Sequence, residues 1–489
     1  MAIVRIEHSN CPDISPEMNL KNSKLLAGAL LLTCLGMTSL KGYTQNAQAA
    51  KTSLYELQQQ FVDLGFGMFI HFNIPTYMED DWADPDASPE IFNPKKLNTD
   101  QWAKAAKSAN MTYGCLTTKH HSGFAIWNTR TTPYNVMNSQ LKRDVVKEFA
   151  NSFRKQGLKV MLYFSILDTH HKLRPGQITP AHIKMVKDQL TELLTNYGEV
   201  SALIIDGWDA PWSRISYDDI PFEEVYKLVK SIQPNCLVMD LNAAKYPAEV
   251  LFYTDIKSYE QGAGQHISKE TNKLPALSCL PINQNWFWKT SFPTTPVKKA
   301  ADLVNTNIVP MNKAFCNFIL NVAPNRDGLI DDNVIAELKE IGNLYKKPQS
   351  FPKLPAADAP VISSNLAKKK PANASWSSDY ALMDFATDDS FRSAWNSNPA
   401  IKAPWFEVEL TKEMPFNMVV ITEPTANTSA YTLEYFADNK WHLLAEGDQA
   451  QRIKVHRFDK VYGEKVRIKF KTFKESPSIA EFGVYCERR

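Results

Sequence analysis

Four apolar segments of this sequence each lead into side chains that could carry out acid–base or nucleophilic chemistry. The side chains in question are His71, the adjacent pair His120 and His121, Tyr163 and Asp206. An aspartate can serve as a nucleophile, and imidazole groups can move protons or hold hydroxyl groups. Each of these residues taken alone could equally have a structural role. They form a site only if the elements before them bring them to one place.

The element that precedes Asp206 is the clearest of the four. Residues 203–205 are three branched apolar residues in a row, and Gly207 follows the aspartate. Such a run predicts a short strand buried on both faces, as in a parallel sheet. In (β/α) barrels the catalytic groups lie at the carboxyl ends of these strands. Capping of the next turn or helix is the alternative role for Asp206.

Strand and helix patterns alternate from about residue 55 to 345. The predicted strands are 65–71, 112–117, 159–164, 202–205, 236–239, 251–253 and 314–322. The predicted helices are 100–110, 143–156, 183–196, 222–233 and 331–345. Because no glycine-rich phosphate loop opens a helix, the alternation predicts an α/β fold with a (β/α)8-like barrel, irregular between residues 253 and 310. A barrel would gather the strand ends around one mouth.

The chain is predicted to contain four regions. They are a signal-peptide region at 1–49, a catalytic barrel at 50–345, a proline-rich linker at 346–362 and an all-β sandwich at 363–489. A basic segment, the apolar run 25–37 and the small residues 47–49 predict cleavage of a secretory signal, with Met18 as an alternative start. The run is too short to span a membrane comfortably. We therefore predict a secreted or periplasmic protein, and favour cleavage over a lipid anchor because Thr33 precedes Cys34.

Composition and charge argue against several other classes. The net charge of +2 gives no electrostatic reason to expect binding to nucleic acid. The histidines could instead bind a metal ion together with Asp206 or Asp81. Adjacent residues of a strand point to opposite faces, so His120 and His121 would chelate one ion only if the backbone turned there. We predict neither a metal nor another cofactor.

Asp206 would suit glycoside hydrolysis with retention of configuration. That mechanism needs a nucleophilic carboxylate and a second carboxyl group, about 5.5 Å away, as acid and base. The candidates for the second group are Glu260, Glu270, Asp209 and Asp255. Glu260 is preferred because it follows a strand-like segment beside Tyr259, whereas Glu270 lies in a polar stretch that predicts an exposed loop.

Five motifs resemble those of the α-L-fucosidases of glycoside hydrolase family 29. They are residues 66–71, 81–82, 116–124, 205–207 and 321–328. The resemblance implies an irregular (β/α) barrel, a retaining mechanism without a metal, and Asp206 as the nucleophile. It also implies contacts with the sugar or the nucleophile for residues at the matching positions, which are His71, Asp81, Trp82, His120, His121, Tyr163 and Trp286.

The sequence departs from the family pattern at positions that matter. Ile204 replaces a tryptophan two residues before the nucleophile, and Ser122 replaces an aspartate after the two histidines. Leu277 stands where the family has its acid/base glutamate, and leucine cannot donate a proton. We predict that Glu260 takes over this task.

The function predicted from these residues is an exo-acting, retaining α-L-fucosidase that removes terminal α-L-fucose from a fucosylated oligosaccharide or glycoconjugate. Two alternatives remain at this point. One is a related α-L-glycosidase, such as an α-L-galactosidase, on the same barrel. The other is a fucose-binding protein with impaired catalysis, as Leu277 would permit.

The C-terminal region, 363–489, resembles a discoidin-like (F5/8 type C) module. The matching segments are 374–376, 388–395, 404–405, 466–468 and 479–485. Short alternating strands predicted at 405–410, 418–421, 431–436 and 466–470 agree with a β-sandwich. The resemblance leaves open whether this module binds sugar.

Overall fold

The computed structural model describes residues 52–217, 219–245, 251, 253–270, 272–355, 363, 365–388, 390 and 393–486. The predicted signal region, 1–49, lies outside the described residues, as does most of the second half of the predicted linker. No helix in the described part of the chain is both long and apolar enough to cross a membrane.

Eight parallel strands form a nearly closed barrel. They are β1 (Phe66–Ile70), β2 (Tyr113–Lys119), β3 (Lys159–Ser165), β4 (Ala202–Asp206), β5 (Leu237–Asp240), β6 (Lys257–Glu260), β7 (Ala276–Pro281) and β8 (Cys316–Asn321). The hydrogen-bonded order β5-β4-β3-β2-β1-β8-β7-β6 leaves one opening, between β5 and β6. The predicted (β/α)8-like barrel is therefore confirmed.

Nine α-helices accompany the described strands. They are α1 (Leu54–Val62), α2 (Pro75–Met78), α3 (Thr99–Ser108), α4 (Val145–Lys155), α5 (Pro180–Asn196), α6 (Phe222–Ile232), α7 (Ala300–Asp302), α8 (Val309–Lys313) and α9 (Asp332–Leu344). A π-helical segment, Leu303–Ile308, joins α7 to α8. Helix α1 begins at a capping box between Ser53 and Glu56, and its Leu57 and Phe61 pack into the barrel interior. This helix closes the end of the barrel where the strands begin.

Alternate residues of each strand belong to two separate apolar layers. Phe69, Met161 and Ile204 are among those that fill the barrel interior. Their neighbours Met68 and Leu203 face the surrounding helices. Burial on both sides explains why these strands read as unbroken apolar runs. The carboxyl ends of these strands are therefore held in positions that the packing fixes.

The strand predicted at 251–253 is wrong, and two strands of the barrel, β6 and β7, were not among those predicted. Leu251 and Tyr253 lie outside strands, and the sixth strand begins at Lys257. Side-chain contacts hold this segment instead, because the Asp255 carboxylate accepts hydrogen bonds from the backbone N–H of Val238 and from Lys230. Strand β7 falls within the region predicted to be irregular, since Ser and Pro interrupt its apolar pattern.

The C-terminal region is all-β, as predicted. It contains β9 (Ala372–Ala374), β10 (Trp395–Asn396), β11 (Trp405–Thr422), β12 (Thr428–Ala437), β13 (Lys440–Gly447), β14 (Ile453–Phe473), β15 (Ser478–Ile479) and β16 (Glu481–Tyr485). Strands β10 and β15 pair with each other, and the others form a six-stranded antiparallel sheet. The two strands predicted at 405–410 and 418–421 are one long strand, β11, interrupted by bulges. Met418 and Val420 of β11 extend the outer apolar layer of the barrel.

Candidate active site

Side chains at the carboxyl ends of several barrel strands surround Asp206. Asp206 is the last residue of β4, and Tyr163 lies near the end of β3. His71 directly follows β1, and Glu260 is the last residue of β6. The pair His120 and His121 directly follows β2. Five strands thus contribute to one pit, as expected for the mouth of a (β/α) barrel.

The carboxylate of Asp206 is buried and held at both oxygens. The Tyr163 hydroxyl donates to Oδ2 at 2.7 Å, and Asn242 Nδ2 donates to Oδ1 at 3.0 Å. Nε2 of His121 lies 3.9 Å from Oδ2. These contacts fix the direction in which the carboxylate faces. Sequence reasoning missed Asn242, which follows the end of β5 and could have been found by inspecting every strand end.

Burial raises the pKa of Asp206 to about 7 from an ordinary value of 3.8. The hydrogen bond from Tyr163 lowers this pKa, and the charge of Glu260 raises it further. Low-dielectric surroundings disfavour a charged carboxylate, so burial outweighs the hydrogen bonds. The folded protein therefore holds a proton on Asp206 more tightly than the unfolded chain does.

This pKa predicts that Asp206→Asn stabilises the protein at pH 8 but not at pH 4. A raised pKa contributes stability below 3.8, and that contribution is lost as the pH rises to about 7. The loss amounts to roughly 4 kcal/mol at most, and an amide gives up about 1 kcal/mol of hydrogen bonding. We expect a net gain of about 1–3 kcal/mol at pH 8, measured by urea denaturation.

A matched control for this measurement is Asp188→Asn, which removes a half-exposed carboxylate on α5. Its effect on the free energy of unfolding should stay within about 0.5 kcal/mol at both pH values. Equal destabilisation by Asp206→Asn at pH 4 and pH 8 would contradict the raised pKa.

His71 is a neutral imidazole whose free acceptor nitrogen is Nε2. Its Nδ1 lies 2.7 Å from Asn321 Oδ1, while Asn321 Nδ2 donates to the carbonyl oxygen of Trp286 at 2.8 Å. The oxygen of the amide therefore faces His71, and Nδ1 must carry the proton. Burial lowers the pKa of His71 to about 3, so the ring stays uncharged.

His121 has the same tautomer for a similar reason. The Ser165 hydroxyl donates to the carbonyl oxygen of Leu167 at 2.9 Å, so it accepts from His121 Nδ1 at 2.8 Å. Burial, followed by the nearby His71 and Lys119, lowers the pKa of His121 to about 3. Nε2, the nitrogen nearest Asp206, is therefore an acceptor.

His120 and His121 face the same pit although they are adjacent. Their ring centroids are 3.9 Å apart because the backbone turns after β2, with the N–H of Gly123 donating to the carbonyl oxygen of His120 at 3.0 Å. Gly123 has a φ of +87° and lies against Asp168, which leaves no room for a Cβ. Nδ1 of His120 is buried and has no hydrogen-bond partner among the described residues. Such an unpaired buried group is typical of a place where ligand or water binds.

A buried ion pair lies next to this turn and stabilises it. Lys119 Nζ lies 3.3 Å from Asp168 Oδ2, and neither side chain is exposed. The backbone N–H of Thr169 donates to the carbonyl oxygen of His121 at 2.9 Å. The segment after β3 therefore holds the histidine turn in place.

Glu260, the last residue of β6, interacts electrostatically with Asp206. Its Oε1 accepts a hydrogen bond from Trp286 Nε1 at 3.2 Å. Burial raises the pKa of Glu260, and the hydrogen bond from Trp286 opposes the increase. The charge of Glu260 raises the pKa of both Asp206 and Tyr163, so the three side chains lie near one another.

The other carboxylates proposed from the sequence lie elsewhere. Glu270 is exposed in the loop after β6. Asp255 is engaged by Tyr226, Lys230 and the backbone of β5. Asp209 is buried in the loop after β4, with its N–H bonded to the carbonyl oxygen of Ile215 at 2.6 Å. Among the four candidates, Glu260 is the one that acts on the pKa of Asp206.

Leu277 lies inside the barrel, near the start of β7. It is buried in the interior apolar layer and pairs with Ser258 of β6 and Asn317 of β8. Glu260 pairs with Cys279, two residues nearer the mouth. The acidic group of this side of the pit is thus carried by β6 instead of β7.

Asp81 and Trp82 occupy different parts of the rim. The carboxylate of Asp81 accepts from the backbone N–H groups of Trp286 and Phe287, each at 3.4 Å. Asp81 therefore holds the loop that carries Trp286, whose ring packs on His71 with centroids 4.9 Å apart. Trp82 stacks on His121 at 4.9 Å.

Two further aromatic residues of the site were not predicted. Phe287 is buried with its ring edge against His71 and His120. Trp212 lies 4.2 Å from His121 and 5.4 Å from Trp82, measured between ring centroids. Its position six residues after Asp206 was the signal available in the sequence.

The arrangement offers a buried carboxylate that could act as a nucleophile, a second carboxyl group and neutral imidazoles that can accept hydrogen bonds from hydroxyl groups. Within the described residues, no group of three or more His, Cys, Asp or Glu side chains could hold a metal ion. Carboxyl and imidazole groups of this kind can carry out acid–base and nucleophilic chemistry.

Comparison with known proteins identifies related chains. An α-L-fucosidase 1 from Arabidopsis thaliana is 27% identical over 475 residues, which cover 89% of this chain and 87% of the relative. An α-L-fucosidase from Dictyostelium discoideum is 23% identical over 58% of this chain and 68% of its own length. A glycoside hydrolase 29 family member from an unknown rumen bacterium has the same fold, with a TM-score of 0.50 and 23% identity over 89% of this chain and 77% of that one.

Two sequence families match the chain itself. The F5/8 type C domain matches residues 367–482. The α-L-fucosidase family matches residues 34–348, which is well over half of the chain. The protein is therefore a glycoside hydrolase that belongs to the α-L-fucosidase family, glycoside hydrolase family 29.

Proposed function

We propose that this protein is an exo-acting, retaining α-L-fucosidase that removes terminal α-L-fucose from glycans. The observation that carries the proposal is the position of Asp206 at the end of β4, where Tyr163 and Asn242 hold its carboxylate beside His121, with Glu260 at the end of β6 as a second carboxyl group. The names of the relatives, which are α-L-fucosidases, point to the same substrate class.

The neutral histidines act as hydrogen-bond acceptors toward a sugar in the pit. His71 and His121 each present Nε2 as an acceptor, so the sugar hydroxyls would donate to them. Trp286 offers an apolar ring surface beside His71, which suits the unsubstituted face and the methyl group of fucose. His120 adds a polar atom that lacks a partner among the described residues. We propose that these four side chains bind the fucosyl ring.

In the proposed first step, Asp206 attacks the anomeric carbon while Glu260 donates its proton to the departing oxygen. The carbon–oxygen bond to the leaving group breaks, and a fucosyl ester forms on Asp206. Tyr163 and Asn242 keep the attacking carboxylate aimed at the sugar. In the second step Glu260 takes a proton from water, which attacks the same carbon and releases Asp206.

This sequence of steps requires an ionised Asp206 and a protonated Glu260. Two interacting carboxyl groups titrate as a pair, and the charge on one holds the proton on the other. Burial raises the pKa of both groups, so the pair keeps a proton near neutral pH. The reactive form is the one in which that proton resides on Glu260.

The domain organisation and location are also proposals. We propose a signal region at 1–49, a barrel at 50–345, a linker at 346–362, a β-sandwich at 363–489, and secretion or export to the periplasm. The two matched ranges are 34–348 and 367–482, and the gap between them overlaps the proposed linker. They support the division between the barrel and the β-sandwich.

The function is tested with a panel of aryl glycosides. We expect hydrolysis of an aryl α-L-fucoside, with α-L-fucose as the first product in a ¹H NMR time course. The α-L-galactoside should have a kcat/KM about 10–100-fold lower, because its extra hydroxyl would lie against an apolar surface. Release of the β anomer first, preference for the galactoside, or binding of fucose in calorimetry without turnover would each overturn part of the proposal.

A further inference from the structure

Exposed tryptophans are concentrated at one point on the rim of the pit. Among the described residues of the barrel, three large apolar side chains are exposed, namely Trp82, Trp212 and Leu344. Two of the three contact the same imidazole ring, that of His121. An exposed apolar surface beside a site more often marks binding than stability, because its contact with water is unfavourable.

The two tryptophans form a wall that runs from the nucleophile to the solvent. Nε2 of His121 lies 3.9 Å from Asp206, at the inner end of the wall. The ring planes of Trp82 and His121 are inclined to each other by 27°, and those of Trp212 and His121 by 44°. Trp82 and Trp212 meet edge to face, with centroids 5.4 Å apart. About two fifths of Trp212 remains exposed beyond these contacts.

The loop that carries Trp212 is stabilised by hydrogen bonds within it. The N–H of Asp209 donates to the carbonyl oxygen of Ile215 at 2.6 Å, and that of Arg214 to Ala210 at 2.9 Å. At the start of the loop, the buried indole N–H of Trp208 donates to the carbonyl oxygen of Ile220 at 2.9 Å. A ligand that stacks on Trp212 therefore pays little entropy to order the platform.

We propose that Trp212 forms a binding subsite for the leaving group, which would be the pyranose residue to which fucose is attached. The proposal rests on the proposed fucosidase function, because it assigns the neighbour of the fucosyl ring. A sugar cleaved in a pit must project its remaining glycan through the mouth. The exposed aromatic surface that the described residues place there is that of Trp82 and Trp212. The apolar C–H face of a pyranose fits such a surface.

Trp212 thus determines which leaving groups are accepted, and the fucosyl ring itself is bound deeper in the pit. The substrate class that follows is an oligosaccharide or glycoconjugate with a pyranose next to fucose. A substrate without that second ring gains nothing from the subsite. The ratio of two kcat/KM values, one for each kind of substrate, therefore isolates the contribution of Trp212.

The test compares α-L-fucosyl fluoride, which has no second sugar, with the fucosylated trisaccharide that the unaltered enzyme cleaves fastest. In Trp212→Ala the ratio of kcat/KM for trisaccharide over fluoride should fall about tenfold or more. In Trp212→Phe, which keeps a ring, the ratio should fall about threefold or less. Leu344→Ala removes another exposed apolar side chain, at the end of α9, and should leave the ratio unchanged.

The outcomes separate this inference from the proposed function. An equal loss on both substrates in Trp212→Ala would overturn the subsite, since Trp212 would then act only through His121. If Trp212→Ala changes kcat/KM for neither substrate, the subsite is overturned as well. If the unaltered enzyme cleaves neither substrate, the fucosidase function fails, and the subsite fails with it. Residual activity on the fluoride also shows that each variant is folded.

Discussion

Asp206→Ala is expected to lower kcat for an aryl α-L-fucoside by at least about 10⁴-fold, the scale found for nucleophiles in other hydrolases. The reason is that Asp206 is the carboxylate that Tyr163 and Asn242 hold in place in the pit. Without the ester intermediate, the reaction would need direct attack by water. Initial rates with an activated aryl fucoside, measured over several hours, give the residual kcat.

Added azide makes this experiment specific for a nucleophile. In Asp206→Ala, azide can enter the space left by the carboxylate and attack the anomeric carbon from that side. One inversion then gives β-L-fucosyl azide, which NMR distinguishes from the α anomer. Asp188→Ala, on the exposed surface of α5, serves as the control and should keep its activity. A near-normal rate in Asp206→Ala would remove the aspartate from the mechanism.

The strands β1 to β4 could be predicted from the sequence because their packing requires apolar residues. Strands β1 to β4 are buried on both faces, so their apolar runs end where the chain reaches the mouth. The polar residue after each run could therefore be assigned to the site. Strands β6 and β7 escaped prediction because their sequences, Lys-Ser-Tyr-Glu and Ala-Leu-Ser-Cys-Leu-Pro, mix polar and apolar residues. Nothing in their spacing reveals which way each side chain points.

The directions of the adjacent side chains of His120 and His121 could not be predicted from the sequence either. Strand geometry would place His120 and His121 on opposite faces. The structure brings both rings into the pit because the chain bends after Lys119, with Gly123 in a left-handed conformation against Asp168. That bend depends on a residue about 45 positions away in the sequence, so local reasoning could not reach it.

Motif matching and tertiary structure also answer different questions about the second carboxyl group. A motif places Leu277 at the position of the acid/base, and on that ground alone catalysis would be impaired. The barrel instead brings β6 beside β7, so that Glu260 reaches the pit one strand away from the motif position. Contacts of this kind depend on the register between strands, which spacing in the sequence does not specify.

Glu260→Ala is expected to slow hydrolysis of natural fucosides by about 10²–10⁴-fold, the usual range for loss of a general acid. An aryl fucoside with an acidic phenol should lose far less in the first step, because that leaving group departs without a proton. The ester on Asp206 would then break down slowly, so a burst of phenol should precede the steady state. Stopped-flow absorbance with the two substrates measures both effects.

Azide distinguishes this variant from the nucleophile variant by the configuration of the product. In Glu260→Ala the ester on Asp206 still forms, and azide attacks it from the side that Glu260 vacates. Two inversions give α-L-fucosyl azide, opposite to the product expected from Asp206→Ala. Glu270→Ala is the matched control, since its carboxylate is exposed and should affect neither substrate. Equal losses on natural and activated substrates, or α-fucosyl azide from Glu270→Ala alone, would assign the acid/base to another residue.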